Sequence, residues 1–202
     1  MIQSHSRESS SNGRSLALSF GAVAMIILSA APAKAEPPEE LAPFFAVTEL
    51  RGGVFAGNLE ENVDEQAEVY ITGEALFSKI GHQYADPILD ILLRPRPHVG
   101  FSLTPDEGGT QMVYAGVTWE VPLTDWMFIE ASFGGAVHDG PTDGDDANSY
   151  GCAVNFRESA SLGFNLGDSW RLLLTVDHVS NGGLCDQNQG ITNAGVRLGY
   201  RW

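Results

Sequence analysis

Residues 158–180 read ESASLGFNLGDSWRLLLTVDHVS, and the pattern of this stretch decides the fold. Apolar side chains fall mostly on the even positions on both sides of the LGDS turn, whereas small and polar side chains fall mostly on the odd positions. Successive side chains of a β-strand point to opposite faces, so each half predicts a strand with one apolar face. The Gly-Asp-Ser turn between the two halves predicts an antiparallel hairpin.

The same alternation recurs on both sides of this hairpin. We predict eight strands, at residues 46–57, 67–78, 96–104, 111–121, 126–137, 152–165, 170–180 and 194–202. Some connections are tight (122–125 and 166–169) and others are long (58–66, 138–151 and 181–193). Tight turns on one side and long loops on the other are typical of an all-β, eight-stranded antiparallel transmembrane β-barrel. Segment 79–95 is too long for a tight turn, and an interfacial helical turn would explain it.

The direction of the apolar face separates a soluble barrel from a membrane barrel. In a membrane barrel the apolar face contacts lipid and the polar face fills the lumen. The last strand carries Arg197 and Arg201 on its polar face and ends with Trp202 on its apolar face. A terminal aromatic residue of this kind resembles the C-terminal signal of outer-membrane proteins. We therefore predict a membrane barrel whose two arginines form ion pairs in the lumen. A pore is disfavoured, because side chains fill an eight-stranded barrel.

Three polar residues interrupt the predicted lipid-facing side. Glu158, His178 and Ser180 are all even-numbered, whereas Asp177 points to the other face. If Leu166 pairs with Trp170, Glu158 pairs with His178, and paired side chains lie about 5 Å apart at Cβ. This register predicts that a carboxylate meets an imidazole on the outer surface, two positions from a serine. A polar cap without chemistry is the competing interpretation.

The first 35 residues have the pattern of a secretory signal. Arg7 and Arg14 precede an apolar run at 16–28, and Ala33-Lys34-Ala35 supplies a small-x-small cleavage site. We therefore predict a signal peptide at 1–35 and a single barrel domain at 36–202.

The net charge of the chain limits the kinds of partner that it can bind. With 26 Asp and Glu against 11 Lys and Arg, the net charge is −15, which argues against nucleic acid as a partner. The acidic residues concentrate in predicted loops. There they either keep the protein soluble and unpaired or bridge divalent cations at an anionic membrane surface.

The exported part contains the only two cysteines of the sequence, Cys152 and Cys185. An even count in an oxidising compartment favours a disulfide over two free thiols. Two cysteines do not provide a zinc-type spacing, so we predict no Cys-based metal site. We also predict no cofactor. His98 and His138 are interpreted as structural residues.

The C-terminal stretch HVSNGGLCDQNQGITNAGVRLGYRW resembles the C-terminal motif of the lipid A 3-O-deacylase (PagL) family, outer-membrane acyloxyacyl hydrolases. The motif runs His-x-Ser-Asn-small-Gly, then Asn-x-Gly, then a final strand that ends in an aromatic residue. The similarity is strongest over 150–202 and looser at 98–101 and 112–120. It implies an eight-stranded barrel in the outer membrane of a Gram-negative bacterium, with lipid A of lipopolysaccharide in the outer leaflet as its partner. The sequence does not decide whether the protein forms a homodimer.

The resemblance also assigns roles to residues. It implies that Ser180 is the nucleophile and His178 its general base, roles that suit a hydroxyl and a neutral imidazole. It implies that Asn181 and the backbone of Gly183 hold the oxyanion, whereas Asn188 is either a substrate contact or a loop residue.

One position departs from the family motif. Fourteen residues after the histidine the family has an acidic triad member, and this sequence has Thr192. The register argument nominates Glu158 as the replacement acid. The leading hypothesis is an esterase that removes an ester-linked, 3-O acyl chain from lipid A. The alternative, favoured by Thr192, is a catalytically impaired or inactive barrel with a structural or adhesin-like role.

Overall fold

The computed structural model describes residues 46–57, 59, 68–105, 109–143 and 149–202. The predicted signal peptide and its boundary at residue 35 lie outside these residues and stay a prediction.

Eight strands form a closed barrel in which each strand pairs with its sequence neighbours and β8 closes onto β1. All of the pairings are antiparallel. The fold predicted from the alternation is therefore confirmed. The strands are β1 (Val47–Ala56), β2 (Val69–Phe77), β3 (Arg96–Leu103), β4 (Met112–Pro122), β5 (Met127–His138), β6 (Val154–Leu166), β7 (Trp170–Ser180) and β8 (Ile191–Arg201).

The register of the β6–β7 hairpin is the predicted one. Leu166 pairs with Trp170 next to the turn. Farther along the hairpin, Glu158 pairs with His178. Gly167 takes a φ of 80°, a left-handed conformation that glycine adopts without a Cβ penalty. The tight turn and the alternation together fix which side chains face outward.

The outer wall is apolar and the lumen is polar. Exposed apolar side chains occur on every strand, among them Leu50, Ile71, Val99, Val113, Ile129, Leu162, Leu174 and Leu198. The buried set contains many charged residues, including Glu49, Arg51, Glu74, Arg96, Glu130, Arg157, Arg171, Asp177 and Arg197. Apolar side chains outside and ionic side chains inside are the arrangement of a barrel that lipid surrounds.

Paired charges fill the lumen. Arg51 donates hydrogen bonds to Glu49 at 2.6 Å, to Glu74 at 3.2 Å and to both carboxylate oxygens of Glu130 at 2.7 Å. Arg197 lies 3.4 Å from Glu74 and 3.8 Å from Asp177, which confirms its predicted lumen pairing. Buried charges persist when they are paired and hydrogen-bonded, so this network replaces an apolar core.

Arg201 lies at the edge of the lumen. Its guanidinium is 4.0 Å from Glu120, and its side chain is 37% exposed. The predicted pairing of Arg201 is thus present but more open than that of the residues deeper in the lumen.

The two ends of the barrel differ. The turn end carries the tight connections 123–126 and 167–169, and the loop end carries the long connections 57–68, 139–153 and 181–190. Aromatic side chains cluster at the turn end, where Trp170 packs on Tyr200 and Tyr200 on Trp202. In outer-membrane barrels short turns face the periplasm and long loops face outward, which places the loop end in the outer leaflet.

Segment 79–95 contains the short helix that its length suggested. Helix α1 (Pro87–Leu93) begins after Asp86, whose carboxylate accepts hydrogen bonds from the backbone of Ile88 and Leu89. Trp119 of β4 donates a 3.0 Å hydrogen bond to the carbonyl of Leu92, which ties the helix to the turn end. No helix among the described residues has the length and apolarity needed to cross a membrane.

Two details of the loop end concern the candidate site. The predicted disulfide between Cys152 and Cys185 is present, with a Cα–Cα distance of 6.1 Å. The predicted start of the last strand at residue 194 was wrong, because β8 begins at Ile191. The polar residues 192 and 193 suggested a loop, but Asn193 donates to the Asp177 carboxylate in the lumen at 2.8 Å and continues the strand.

Candidate active site

A row of polar side chains crosses three strands on the outer wall near the loop end. Glu158 of β6 pairs with His178 of β7, which pairs in turn with Thr192 of β8. None of the three is buried, whereas their sequence neighbours Asp177 and Asn193 are buried in the lumen. The structure therefore brings the predicted acid, the predicted base and the residue at the family's acidic position into one line.

Ser180 lies on the same face as His178 and ends β7. Two residues of a strand span about 6.6 Å between their Cα atoms, so the Ser180 and His178 side chains are neighbours along the outer face of β7. Catalytic hydrogen bonds are often long in the absence of substrate and shorten in the complex.

Thr192 orients the imidazole. Its Oγ1 lies 2.8 Å from His178 Nδ1. A β-carbon placed on Gly190 would come within 2.5 Å of His178 Cε1, so the absence of a side chain at Gly190 makes room for the ring. These two contacts fix the orientation of the ring from the side of β8.

Glu158 occupies the position that the register predicted but does not hold the ring. The carboxylate is exposed on the outer wall. Among the described contacts of His178, none is a hydrogen bond with Glu158, whereas Thr192 provides one to Nδ1. The two neighbours thus differ, since the hydroxyl contacts the ring directly and the carboxylate flanks it.

A tight turn follows the serine. Gly182 and Gly183 have φ values of 65° and 80°, and the amide of Leu184 donates to the carbonyl of Asn181 at 3.3 Å. Positive φ at both central residues is the signature of a type I′ turn, and glycine adopts it at no steric cost.

Asn181 holds this loop together. Its side-chain amide donates to the carbonyls of Tyr150 at 2.8 Å and Gln187 at 2.5 Å, and its Oδ1 accepts from the Gly183 amide at 2.8 Å. Its own backbone amide donates to Asn188 Oδ1 at 2.8 Å. The structure therefore shows the predicted oxyanion donors, Asn181 and Gly183, engaged in loop contacts, and Asn188 acting as a loop residue.

Gly182 was missed by the sequence reasoning. Within the turn 181–184, which is fully described, the other three amides donate hydrogen bonds, whereas the backbone N–H of Gly182 has no acceptor among the described residues. The Asn-Gly-Gly tripeptide was the available signal, because it predicts a turn that exposes a backbone amide two residues after the serine.

His98 and His138, which were interpreted as structural, both have hydrogen-bond partners inside the barrel. His98 lies 2.9 Å from Thr118 Oγ1 in the lumen, and His138 Nε2 lies 3.2 Å from Asn155 Nδ2. Asp177 accepts from Arg157 at 2.8 Å, which places it on the side away from His178. Among the described residues, no group of three or more His, Cys, Asp or Glu side chains is arranged to hold a metal ion.

Comparison with known proteins identifies the family. The family model described as lipid A 3-O-deacylase (PagL) matches residues 97–201, which is just over half of the chain and includes the whole polar row. No curated protein sequence matches the chain at a significant level.

Three solved structures are similar to this chain. The crystal structure of the outer membrane enzyme PagL superposes with a TM-score of 0.56 at 18% identity, covering 75% of this chain and 97% of that chain. A de novo designed transmembrane β-barrel gives a TM-score of 0.47 at 11% identity, covering 78% and 98% of the two chains. Ail, the attachment invasion locus protein of Yersinia pestis, gives 0.41 at 12% identity, covering 78% and 100%. The chain is thus an outer-membrane β-barrel, and it belongs to the lipid A 3-O-deacylase (PagL) family.

Proposed function

We propose that this protein is a serine esterase that hydrolyses the 3-O ester-linked acyl chain of lipid A in the outer leaflet. The observation that carries the proposal is the position of Ser180 and His178 on the lipid-facing wall at the loop end. A lipid ester reaches this wall by lateral diffusion. A charged group facing lipid costs about 2–4 kcal/mol at the bilayer midplane and less near the interface, so polar residues there need a functional reason.

The chemistry starts at the imidazole. When Nδ1–H of His178 donates to Thr192 Oγ1, the lone pair resides on Nε2, which takes the proton of Ser180 Oγ. The alkoxide attacks the ester carbonyl, and the tetrahedral intermediate expels the sugar oxygen, which takes from His178 the proton that Ser180 had given up. Water then releases the fatty acid from the serine ester, with His178 again acting first as base and then as acid.

Two groups replace the family's carboxylate. Thr192 holds the orientation of the ring through its hydrogen bond, and Glu158 stabilises the imidazolium through its charge from the other side of the ring. A charge that acts across a gap at a poorly hydrated site still contributes, although less than a hydrogen-bonded carboxylate. Together, these two roles explain how the protein is active with a threonine at the family's acidic position.

The oxyanion is held at the type I′ turn. The family resemblance nominates Asn181 and the Gly183 amide, and both must leave their present partners to serve. The Gly182 N–H needs no such release, so it adds a donor beside the serine.

The test is mass spectrometry of lipid A after incubation with the purified protein in lipid vesicles. The wild type should release one fatty acid from the 3-O position, and Ser180→Ala and His178→Ala should each release none. Both side chains face outward, so both variants should fold and keep heat-modifiable migration on gels. Ser159→Ala, which removes a hydroxyl bonded to Ser132 inside the barrel, is the control and should stay active. Unchanged lipid A with the wild type would instead support the non-catalytic barrel.

A further inference from the structure

Helix α1 exposes an apolar face and turns its charged side chain inward. The apolar face consists of four side chains that fall within an arc of about 140° around the helix axis. They are Ile88, Leu89, Leu92 and Leu93, and each is about half exposed. Asp90 lies on the opposite side of the helix and is partly buried. A helix on a water-exposed surface has the reverse arrangement, with its apolar face inward and its charges outward.

The inward carboxylate is held by the segments that flank the helix. Asp90 Oδ1 accepts hydrogen bonds from the backbone amide of Tyr84 at 3.0 Å and from the guanidinium of Arg94 at 3.1 Å. Lys79 Nζ lies 3.9 Å from Asp90 Oδ2. Because these contacts bind the polar side of the helix to its own flanks, they fix its rotation with the apolar face outward.

Trp119 places the helix against the outer wall of the barrel. This tryptophan has the strand parity of Val113 and Ala115, which are exposed on the outer wall, whereas Thr118 is buried in the lumen. Its indole N–H donates to the carbonyl of Leu92 at 3.0 Å. A side chain that points away from the lumen therefore contacts α1, so the helix lies beside the outer wall of β4 at the turn end.

The apolar face of α1 continues the lipid-facing wall at its aromatic border. All four tryptophans of the sequence lie at the turn end, and they are Trp119, Trp126, Trp170 and Trp202. Tryptophan is enriched where a membrane protein meets the boundary between headgroups and acyl chains. Because the turn end lies at the inner leaflet, the hydrogen bond from Trp119 holds α1 at the level of this boundary.

We propose that α1 is an interfacial anchor whose apolar face inserts into the phospholipid monolayer of the inner leaflet. Interfacial helices bury their apolar face about 5–10 Å into the boundary between headgroups and acyl chains. Phospholipid is the occupant because the face carries no charge, continues a wall that lipid already covers and is bordered by tryptophan. This placement holds whether or not the chain is an esterase, since α1 contacts β4, three strands away from β7.

The test measures the membrane depth of a fluorescent label on single introduced cysteines. Protein purified from outer membranes is placed in phosphatidylcholine vesicles at a low protein-to-lipid ratio. Leu89→Cys and Leu93→Cys report on the apolar face, and Asp168→Cys, exposed on a tight turn at the same end of the barrel, is the matched control. The native disulfide stays intact, so the label reacts with the introduced thiol alone.

Two quenchers distinguish lipid from water around each label. A phospholipid with a nitroxide on its acyl chain near the headgroup should quench both helix labels at least about 3-fold more than the label at position 168. Aqueous iodide should quench the three labels in the reverse order. Equal lipid quenching at all three positions would overturn the proposal. Strong iodide quenching of the helix labels would also overturn it and would favour a soluble periplasmic partner.

A second variant tests the insertion itself. Leu92→Asp places a charge in the apolar face, so it should lower the lipid quenching of the label at position 89 to that of the control label, while heat-modifiable migration shows that the barrel still folds. Leu92→Met keeps the face apolar and should keep the quenching. Unchanged quenching in folded Leu92→Asp would contradict insertion. Helix labels shielded from both lipid and iodide would overturn the proposal, because protein would then cover the face, and energy transfer between labels would identify a second copy of this chain.

Discussion

The lumen and the outer polar row are both rich in polar residues, but the two regions satisfy them differently. In the lumen Arg51 alone contacts three carboxylates, and Glu49 accepts from three arginines. On the outer wall Glu158 and Ser180 face outward without such a network, and Thr192 contacts His178 across the strands. Polar groups that satisfy one another maintain the fold, whereas polar groups turned toward lipid remain available for a substrate.

The largest effect should come from breaking the lumen network. Arg51→Met leaves Glu49, Glu74 and Glu130 without their shared cation, and removing one partner of a buried ionic cluster costs about 3–5 kcal/mol. The free energy of unfolding, measured by urea titration in lipid vesicles, should fall by that amount. Arg201→Met is the control, because an exposed pair contributes about 0–1 kcal/mol. Similar losses for the two variants would contradict a distinction between the inner network and its edge.

The disulfide should contribute less to stability. Cys152 and Cys185 close a loop with a sequence separation of 33, and such a crosslink stabilises by about 2–4 kcal/mol. The double variant with serine at both positions should unfold at lower urea by that amount. Wild-type protein whose disulfide has been reduced and alkylated should behave like the double variant. If both unfold at the urea midpoint of the untreated wild type, the bridge does not hold the loop.

Variants at Thr192 distinguish the effect of ring orientation on catalysis from the effect of a charge beside the imidazole. Thr192→Val keeps the shape and removes the hydroxyl, so kcat should fall about 10-fold, corresponding to one hydrogen bond of about 1–1.5 kcal/mol. Thr192→Ser keeps the hydroxyl and should stay within about 2-fold of the wild type. Thr192→Glu supplies the acid at the family's position and should exceed the wild type. Equal kcat for the valine and serine variants would remove Thr192 from the mechanism.

The smallest effect is expected at Glu158. Glu158→Gln keeps the shape and removes a charge that flanks the imidazole without a hydrogen bond, so turnover should fall only a few-fold. Folding should be unchanged or slightly stabilised, since a charge leaves a poorly hydrated face. The effect should vanish in the Thr192→Glu background, where another carboxylate stabilises the cation. An unchanged rate for Glu158→Gln in the wild-type background would make Glu158 an interfacial charge without a catalytic role.

The sequence predicted the faces of the strands better than it predicted the contacts of the site. Alternation placed Glu158 opposite His178 because a period of two and one tight turn are sufficient to fix a hairpin register. It did not reveal that Thr192 lies within the last strand, because the second and third residues of that strand are polar; Thr192 bonds to His178 on the outer wall and Asn193 bonds to Asp177 in the lumen.

The contacts of the loops could not be predicted from the sequence. Alternation carries no information about the 181–190 connection, where Asn181 donates to Tyr150 from another loop and Asn188 accepts from Asn181. The motif suggested oxyanion roles for Asn181 and Gly183, which the structure shows hydrogen-bonded within the loops, and those roles stay a prediction. Neither the type I′ turn at 181–184 nor its Gly182 amide was predicted, although the Asn-Gly-Gly tripeptide favours such a turn.

The most direct test of the central claim is labelling with a long-chain alkyl fluorophosphonate, followed by peptide mass spectrometry. The reagent forms a covalent bond only with a serine that a base activates, and its chain delivers it from the lipid side. The account predicts a single adduct on Ser180 of the vesicle-embedded wild type and no adduct on folded His178→Ala. An adduct on a different serine, or equal labelling of Ser180 in His178→Ala, would contradict it.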